Sequence, residues 1–408
     1  MEAYEHHLLE GLRAFLQQRP AALELTEKQD WQRLWQLARQ QKVLPMAADT
    51  LCPPLRATGA DGAILRAVRQ EAVGEMSGQI RRFSAFARLY EAVLAAGCTP
   101  LLVKGAVCRG LYPKPDLRVS ADEDLLVRPE ELPRVRGVLD AQGWEVRGAS
   151  GAQVTVCLDP RSGAYVELHR TLFSRGDRSY GSMNECFAGA FDRKIQVQVE
   201  GKAYWTLCPQ MHLLYLILHA CKHFLHSGVG IRQVCDICLC ACTWAEEIDW
   251  DVLRAQLRQV RADVFAANLL EIGRRFLGFD VYPPQAEQWL EDIGARLDCG
   301  ALLEDLLDAG VYGSSSEERL HSSLITLGAA ADGSDCHRIR RVVRTVFPSG
   351  RALEGKYPYL REKPWLLPAA WAQRLVSYRA KTDGAAVKES LDIGERRVRL
   401  LKKYGIIE

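Results

Sequence analysis

Apolar residues at helical spacing dominate the first hundred positions of the chain. They form three stripes, each on one face of a predicted helix: Leu8, Leu12, Phe15 and Leu16; Trp31, Leu34, Trp35 and Ala38; and Ile80, Phe83, Ala87, Tyr90 and Leu94. The segment 52–62, rich in Pro and Gly, predicts a loop before the last of these helices, and Gly97 provides its stop. We therefore predict an N-terminal helical region over residues 1–97.

From residue 98 the apolar pattern shortens to the runs that are typical of strands. Five segments qualify as strands, at 99–103, 121–127, 144–147, 153–158 and 164–169, and an amphipathic helix is predicted over 129–142. Helical spacing returns after about residue 206, in the segments 211–225, 232–244, 250–260 and 264–277. The pattern predicts an α+β protein, with a core over 98–205 that contains a small sheet and a mainly helical region over 206–408.

Composition is that of an ordinary globular protein. Lys and Arg total 53 against 51 Asp and Glu, which leaves a net charge of +2, and 48% of the residues are hydrophobic. A broad basic surface for nucleic acid is therefore not indicated, although residues 338–344 form a short basic segment. The most apolar stretch, 213–225, contains polar residues and is shorter than the ~20 residues of a membrane span. The 13 scattered Cys and an N-terminus without a signal-peptide pattern favour the reducing cytoplasm.

Acidic residues in two of the predicted strands offer the most chemistry. Alternate side chains of a strand share a face, so Asp122 and Asp124 project together, and Glu167 shares a face with His169. Two close carboxylates repel each other unless a cation lies between them, and Mg²⁺ prefers such oxygen ligands. Three carboxylates from neighbouring strands could hold two cations roughly 4 Å apart. The alternative is that all three are solvated charges at the edge of the sheet.

Basic residues flank these acids. Lys104 and Gly105 end the first predicted strand and precede a helix, so this bend offers backbone N–H groups and a lysine charge to a phosphate. An ordinary turn after a strand is the alternative. Arg118, four residues before Asp122, could pair with one of the carboxylates or reach a phosphate, since its guanidinium suits both.

Taken together, these segments resemble the uncharacterised nucleotidyltransferase family of the DNA polymerase beta superfamily. The likeness follows four motifs in chain order: Leu102-Val103-Lys104-Gly105, Leu111-Tyr112-Pro113 with Leu117-Arg118, Asp122-x-Asp124-Leu-Leu-Val127, and Val166-Glu167-Leu168-His169. It continues through His219-x-x-x-His223 and the segments 232–236, 347–349, 357–358 and 366–374, and so covers most of the chain. Two positions depart from the wider superfamily. Lys104-Gly105 replaces its usual Gly-Ser, and Glu123 stands where an apolar residue is commoner.

The resemblance implies a polymerase-beta-like nucleotidyltransferase core with a small mixed sheet, flanked by helical regions. Such a core binds a nucleoside triphosphate, for example ATP, with Mg²⁺ or Mn²⁺, and transfers the nucleoside monophosphate to an acceptor with release of pyrophosphate. It implies two sets of residues: the metal-binding and catalytic carboxylates Asp122, Asp124 and Glu167, and the nucleotide contacts Lys104, Gly105 and Arg118. No residue identifies the acceptor among small molecules, peptides and proteins. Nucleic acid is not favoured, because aromatic residues are not spaced for base stacking.

Histidines and cysteines give weaker signals. His219 and His223 lie four residues apart on one predicted helix, and zinc would need further ligands, so hydrogen-bonded packing is the default interpretation. The resemblance keeps both, together with His169, as candidates for the cleft. Four cysteines on the next predicted helix cannot all converge on one metal and are predicted to pack in the core: Cys235, Cys238, Cys240 and Cys242.

Two other functions are compatible with the sequence. A catalytically inactive nucleotide-binding or interaction protein could retain the fold, with Glu123 reflecting relaxed function. A cysteine-ligated metal sensor would carry stoichiometric zinc or iron.

Overall fold

The structure is a computed structural model. It describes residues 1–23, 28–57, 61–147, 153–226, 228–280, 282–309, 317–332, 350–353, 357–360, 362–373 and 384–408. The basic segment 338–344 and the motif at 347–349 lie outside these residues. Among the residues described, no helix combines the length and the apolar character needed to cross a membrane.

Four helices precede the sheet: α1 (Ala3–Leu16), α2 (Lys28–Gln40), α3 (Leu44–Ala57) and α4 (Gly62–Ala95). The loop predicted to begin at residue 52 is wrong in its first half, because α3 continues through Pro53 and Pro54. Each proline removes a backbone donor from the helix. The buried side chains of Leu51, Cys52 and Leu55 nevertheless hold this turn against its neighbours, so tertiary packing overrides the local signal.

A mixed five-stranded sheet follows, and all five predicted strands are confirmed with shorter ends. The strands are β1 (Leu101–Leu102), β2 (Glu123–Leu126), β3 (Glu145–Arg147), β4 (Val154–Leu158) and β5 (Tyr165–His169). Their order is β1-β2-β5-β4-β3, and β2 and β5 are the one parallel pair in it. A short helix, α5 (Ala106–Arg109), follows β1, and α6 (Leu132–Ala141) follows β2. This arrangement confirms the predicted α+β class with a small mixed sheet.

A hairpin after the sheet has no counterpart in the predicted elements. It consists of β6 (Ile195–Val199) and β7 (Lys202–Thr206), paired antiparallel. Its signal is present in the sequence, since apolar and polar residues alternate along β6 and Glu200-Gly201 supplies the turn. Both turn residues have positive φ, 49° and 76°, as a two-residue hairpin turn of the mirror-image type requires.

Nine helices are described after the hairpin, in agreement with the predicted helical flank. They are α7 (Pro209–Leu225), α8 (Ile231–Thr243), α9 (Trp250–Gln259), α10 (Asp263–Ile272), α11 (Pro284–Ile293), α12 (Cys299–Ala309), α13 (Glu317–Asp332), α14 (Gly350–Leu353) and α15 (Gly384–Lys403). A π-helical turn over Gly273–Leu277 continues α10. The domain boundaries after residues 97 and 205 stay predictions.

The two faces of the sheet belong to different apolar cores. Leu125, Val166 and Leu168 pack with side chains of α4 and α6. Leu126, on the opposite face of β2, belongs to the large core that the other N-terminal and C-terminal helices share. Alternation along β2 places Asp124 on the same face as Leu126, so the acidic residues lie on the side of this larger core.

Candidate active site

Parallel pairing of β2 with β5 brings the predicted acids together. Asp124 lies opposite Glu167, and Leu126 lies opposite His169. One ligand atom from each of Asp124, Glu167 and His169 falls within 4.8 Å of the other two. In the described part of the chain, this is the single group of three or more His, Cys, Asp or Glu side chains arranged so that they could hold a metal. Asp124 and His169 are buried, whereas the Glu167 side chain is 27% exposed.

Asp122 lies just outside this group and is joined to it by Lys104. The Lys104 ammonium lies 2.6 Å from Asp124 Oδ2 and 3.5 Å from Asp122 Oδ2. Sequence reasoning assigned this lysine to phosphate, and the structure places it between the two aspartates. The site is therefore a string of alternating charges, from Asp122 through Lys104 and Asp124 to His169 and Glu167.

Electrostatics within this string favour the ionised forms of Lys104, Asp124 and His169. Burial opposes the charge on Lys104, but Asp122 and Asp124 outweigh it and raise the lysine pKa well above its usual value. Burial likewise opposes ionisation of Asp124, whose pKa is nevertheless held well below its usual range by Lys104 and His169. For His169 the hydrogen bonds to Asp124 and Glu167 exceed the cost of burial and raise the pKa to about 9. Its Nε2 lies 2.9 Å from Asp124 Oδ1 and 3.3 Å from Glu167 Oε2.

The bend at Lys104-Gly105 has a geometry that explains the unusual Glu123. Gly105 has φ 51° and ψ −111°, a conformation essentially limited to glycine. The backbone N–H of Ala106, the first residue of α5, donates to Glu123 Oε2 at 2.8 Å. Glu123 faces away from Asp122 and Asp124, and burial raises its pKa to about 7. The Glu123 carboxyl group thus stabilises the bend from the opposite face of β2. The Ala106 N–H, which the sequence suggested as a phosphate donor, instead donates its hydrogen bond to Glu123.

We expect Gly105→Ala to disrupt this bend. A Cβ atom there would overlap Glu123 Oε2, in a backbone conformation that costs other residues about 1–3 kcal/mol. Urea denaturation should therefore show a loss of unfolding free energy of at least that size. Gly137→Ala on α6 is the matched control, because a Cβ there has open space and helix propensity favours alanine. Equal stabilities of the two variants would contradict this account of the bend.

Arg118 forms a buried ion pair with a residue of α8. It is 1% exposed, its Nη2 lies 2.6 Å from Asp236 Oδ2, and its Nε lies 3.1 Å from Asp236 Oδ1. Tyr112 also donates its hydroxyl to Asp236 Oδ1, at 2.8 Å. A further Arg118 nitrogen donates to the Gly105 carbonyl at 3.3 Å. Arg118 therefore ties the bend to α8, and Asp236, on which sequence reasoning placed no role, is its partner in place of Asp122 or Asp124.

Helix α7 faces the acids with a row of nitrogen-bearing side chains. The Nε2 atoms of His219 and His223 lie 3.2 Å apart, so the predicted pair does share one face. Burial and the charge of Lys104 hold the pKa of His219 well below its usual range, and burial and the charge of Lys222 do the same for His223. Lys222 itself is half-buried, and its pKa is lowered by burial and by Lys104. Spacing could have flagged Lys222, since it follows His219 by three residues on the same helical face.

The cysteines of α8 do not form a metal site. Cys235, Cys238 and Cys240 are buried, Cys242 is half-buried, and the 12 cysteines described are all free thiols. This confirms the prediction that they pack as small apolar residues.

Comparison with known proteins adds one finding. A family model described as an uncharacterised nucleotidyltransferase matches residues 27–278. No curated protein and no solved structure matches the chain. The matched range begins just before α2 and ends after α10, so it contains the sheet, the charge string, the Arg118–Asp236 pair and the histidines of α7.

Proposed function

Since the chain belongs to the uncharacterised nucleotidyltransferase family, we propose that it transfers a nucleoside monophosphate from a nucleoside triphosphate to an acceptor, with Mg²⁺ or Mn²⁺ and release of pyrophosphate. The observation that carries this proposal is the convergence of Asp124 and Glu167 across the one parallel strand pair of the sheet. Two carboxylates opposite each other do not stabilise a sheet, because like charges in register destabilise the pairing of the two strands. Their presence therefore favours a functional role.

The donor set suits a divalent cation. Asp122, Asp124 and Glu167 offer hard carboxylate oxygens, which Mg²⁺ and Mn²⁺ prefer. The charge of the acids is balanced by two cationic side chains, those of Lys104 and His169. We infer that the three carboxylates hold the cation once these contacts loosen. When bound, the cation supplies neutralisation of charge on the phosphates.

The remaining steps belong to the residues of the chain. Lys104, released from Asp124, would pair with phosphate oxygens at the bend. The acceptor oxygen forms a bond to the α-phosphorus, the bond from that phosphorus to the oxygen of the β-phosphate breaks, and pyrophosphate leaves. The acceptor proton passes to a base, and we assign this role to Glu167, whose side chain is 27% exposed and lies at the end of the string. Lys222 on α7 would add a positive charge on the wall that faces the acids.

Replacing Glu167 tests this proposal. Incubation with each α-labelled nucleoside triphosphate, Mg²⁺ or Mn²⁺ and a cell extract should put label on an acceptor, and EDTA should prevent it. We expect Glu167→Gln to lower the rate roughly 10²-fold or more, the scale of losing a general base. Glu145→Gln, an exposed glutamate of β3 in the same sheet, should retain the full rate.

One result would point away from transfer. Nucleotide binding by the wild-type protein without label transfer or pyrophosphate release would favour the inactive nucleotide-binding alternative.

A further inference from the structure

A cavity of about 790 Å³ opens at the carboxyl ends of β2 and β5. This volume is in the range of sites that bind small organic molecules. Its inner wall comes from residues at the ends of these strands: Leu126, Arg128, Arg170, Thr171 and Leu172. Its outer wall comes from Arg175 and from the segment 181–192.

The acids do not line the cavity, but they lie on the same two strands, one step of alternation before Leu126. Leu126 lies two residues beyond Asp124 on β2, so both side chains share a face, and Leu126 is the register partner of His169. Thr171 follows His169 by two residues, just beyond the end of β5. A step of two residues along a strand is about 7 Å, so a molecule in the cavity could place an oxygen beside the carboxylates.

The acids lie between this cavity and the Lys104-Gly105 bend. Strand β1 is antiparallel to β2, with Leu101 opposite Leu126, so the bend that follows β1 lies at the amino end of β2. The contact of Lys104 with Asp122, which precedes β2, agrees with that direction. The cavity lies at the other end of the strand. An in-line displacement needs its attacking and leaving oxygens on opposite sides of the phosphorus. An acceptor in the cavity and a pyrophosphate group at the bend would lie on opposite sides of the acids.

The half-buried charged side chains that line the cavity are arginines. Arg128 and Arg170 are half-buried at the strand ends, whereas Arg175, Glu185 and Asp192 are exposed. The Arg128 guanidinium lies 4.4 Å from the centre of the Phe191 ring, which holds it in the wall. It also lies 3.8 Å from Glu131.

Apolar side chains supply much of the remaining lining, among them Leu126, Leu172 and Phe187. Such a lining suits a molecule with an anionic end and an apolar body.

We propose that this cavity binds the acceptor and that the acceptor is a small organic molecule bearing a carboxylate or phosphate group. Its role in transfer rests on the proposed function, but occupancy of the cavity by such a molecule does not. The arginines bind the anionic group at the inner wall, and a hydroxyl group of the same molecule reaches the acids.

Binding of 1-anilinonaphthalene-8-sulfonate to the full chain tests the site without any need for catalysis. This probe combines an anionic group with an aromatic body, and we expect saturable fluorescence with one site per chain. Arg128→Gln should weaken binding at least about 10-fold, as the loss of a charge-assisted hydrogen bond does. Arg175→Gln should weaken it less, because that side chain is exposed. Arg178→Gln, at an exposed arginine three residues after Arg175 that does not line the cavity, should leave probe binding unchanged.

Competition for the probe site distinguishes a phosphate group from a carboxylate group on the acceptor. Displacement of the probe by phenyl phosphate or by phenylacetate would show which anionic group the arginines prefer, and either result supports the site. Probe binding of equal affinity in the wild-type protein, Arg128→Gln and Arg175→Gln would overturn the proposal. Displacement of the probe by ATP, together with weaker ATP binding in Arg128→Gln, would also overturn it, because the cavity would then be the nucleotide site. If the probe binds as expected while no label transfer is found, the proposed function fails and the anion site stands.

Discussion

Asp124→Asn should abolish nucleotidyl transfer, with a loss of about 10³-fold or more. Asp124 is 2% exposed and contacts both cationic side chains of the site, Lys104 at 2.6 Å and His169 at 2.9 Å. An amide in its place has no charge to offer a divalent cation, and removing one preorganised electrostatic group from an active site typically costs about 10²–10³-fold in rate. Asp124 additionally orients Lys104, so we expect its effect to exceed that of Glu167→Gln.

The same substitution should also weaken the fold. Without the Asp124 charge, Lys104 keeps only the longer contact with Asp122, at 3.5 Å, and His169 keeps Glu167, at 3.3 Å. Breaking a buried ion pair from one side costs about 3–5 kcal/mol, and these second contacts should keep the loss of unfolding free energy near the lower end.

The catalytic effect is measured as label transfer below the unfolding transition, with circular dichroism to verify that the variant is folded. Asp140→Asn, an exposed aspartate on α6, is the control. A folded Asp124→Asn protein that transfers label at the wild-type rate would disprove the catalytic role.

Arg118→Met should produce the largest loss of stability among these variants. It leaves the carboxylate of Asp236, which is 3% exposed, with the Tyr112 hydroxyl as its remaining hydrogen-bond donor among the contacts described above. It also removes the hydrogen bond to the Gly105 carbonyl, so the bend loses its tie to α8. An uncompensated buried charge costs about 3–5 kcal/mol, and urea denaturation should show a decrease of that size.

A double-mutant cycle separates the ion pair from general damage to the core. Asp236→Leu alone should also destabilise, because it leaves the buried Arg118 charge unpaired, whereas Arg118→Met with Asp236→Leu should recover part of the loss. Lys114→Met is the matched control, since Lys114 pairs with Asp49 at a similar 2.7 Å but is 57% exposed. Its loss should stay below about 1 kcal/mol. A strictly additive cycle would mean that the pair does not stabilise the bend.

Much of the site could be predicted because strand periodicity is local. The alternation that places Glu167 on one face with His169 depends only on neighbouring residues, and both side chains lie near Asp124 across β2 and β5, with Asp122 just outside the group. The partners of the basic residues could not be predicted in this way. Asp236 lies 118 residues beyond Arg118, and no local pattern connects them.

The sequence by itself determined the chemical content of the site and the elements that carry it: the five strands of the sheet, the acids at alternate positions and the glycine bend after β1. These follow from side-chain spacing and backbone preference within a few residues. Only the tertiary structure decided that Lys104 lies between two aspartates, that Arg118 pairs with a residue of α8, and that a cavity lined by arginines forms at the carboxyl ends of the strands that carry the acids. Those outcomes depend on strand register and on helix packing between segments that are distant in the sequence. A buried charge must be paired, and the folded core determines which oppositely charged side chain lies close enough to pair with it.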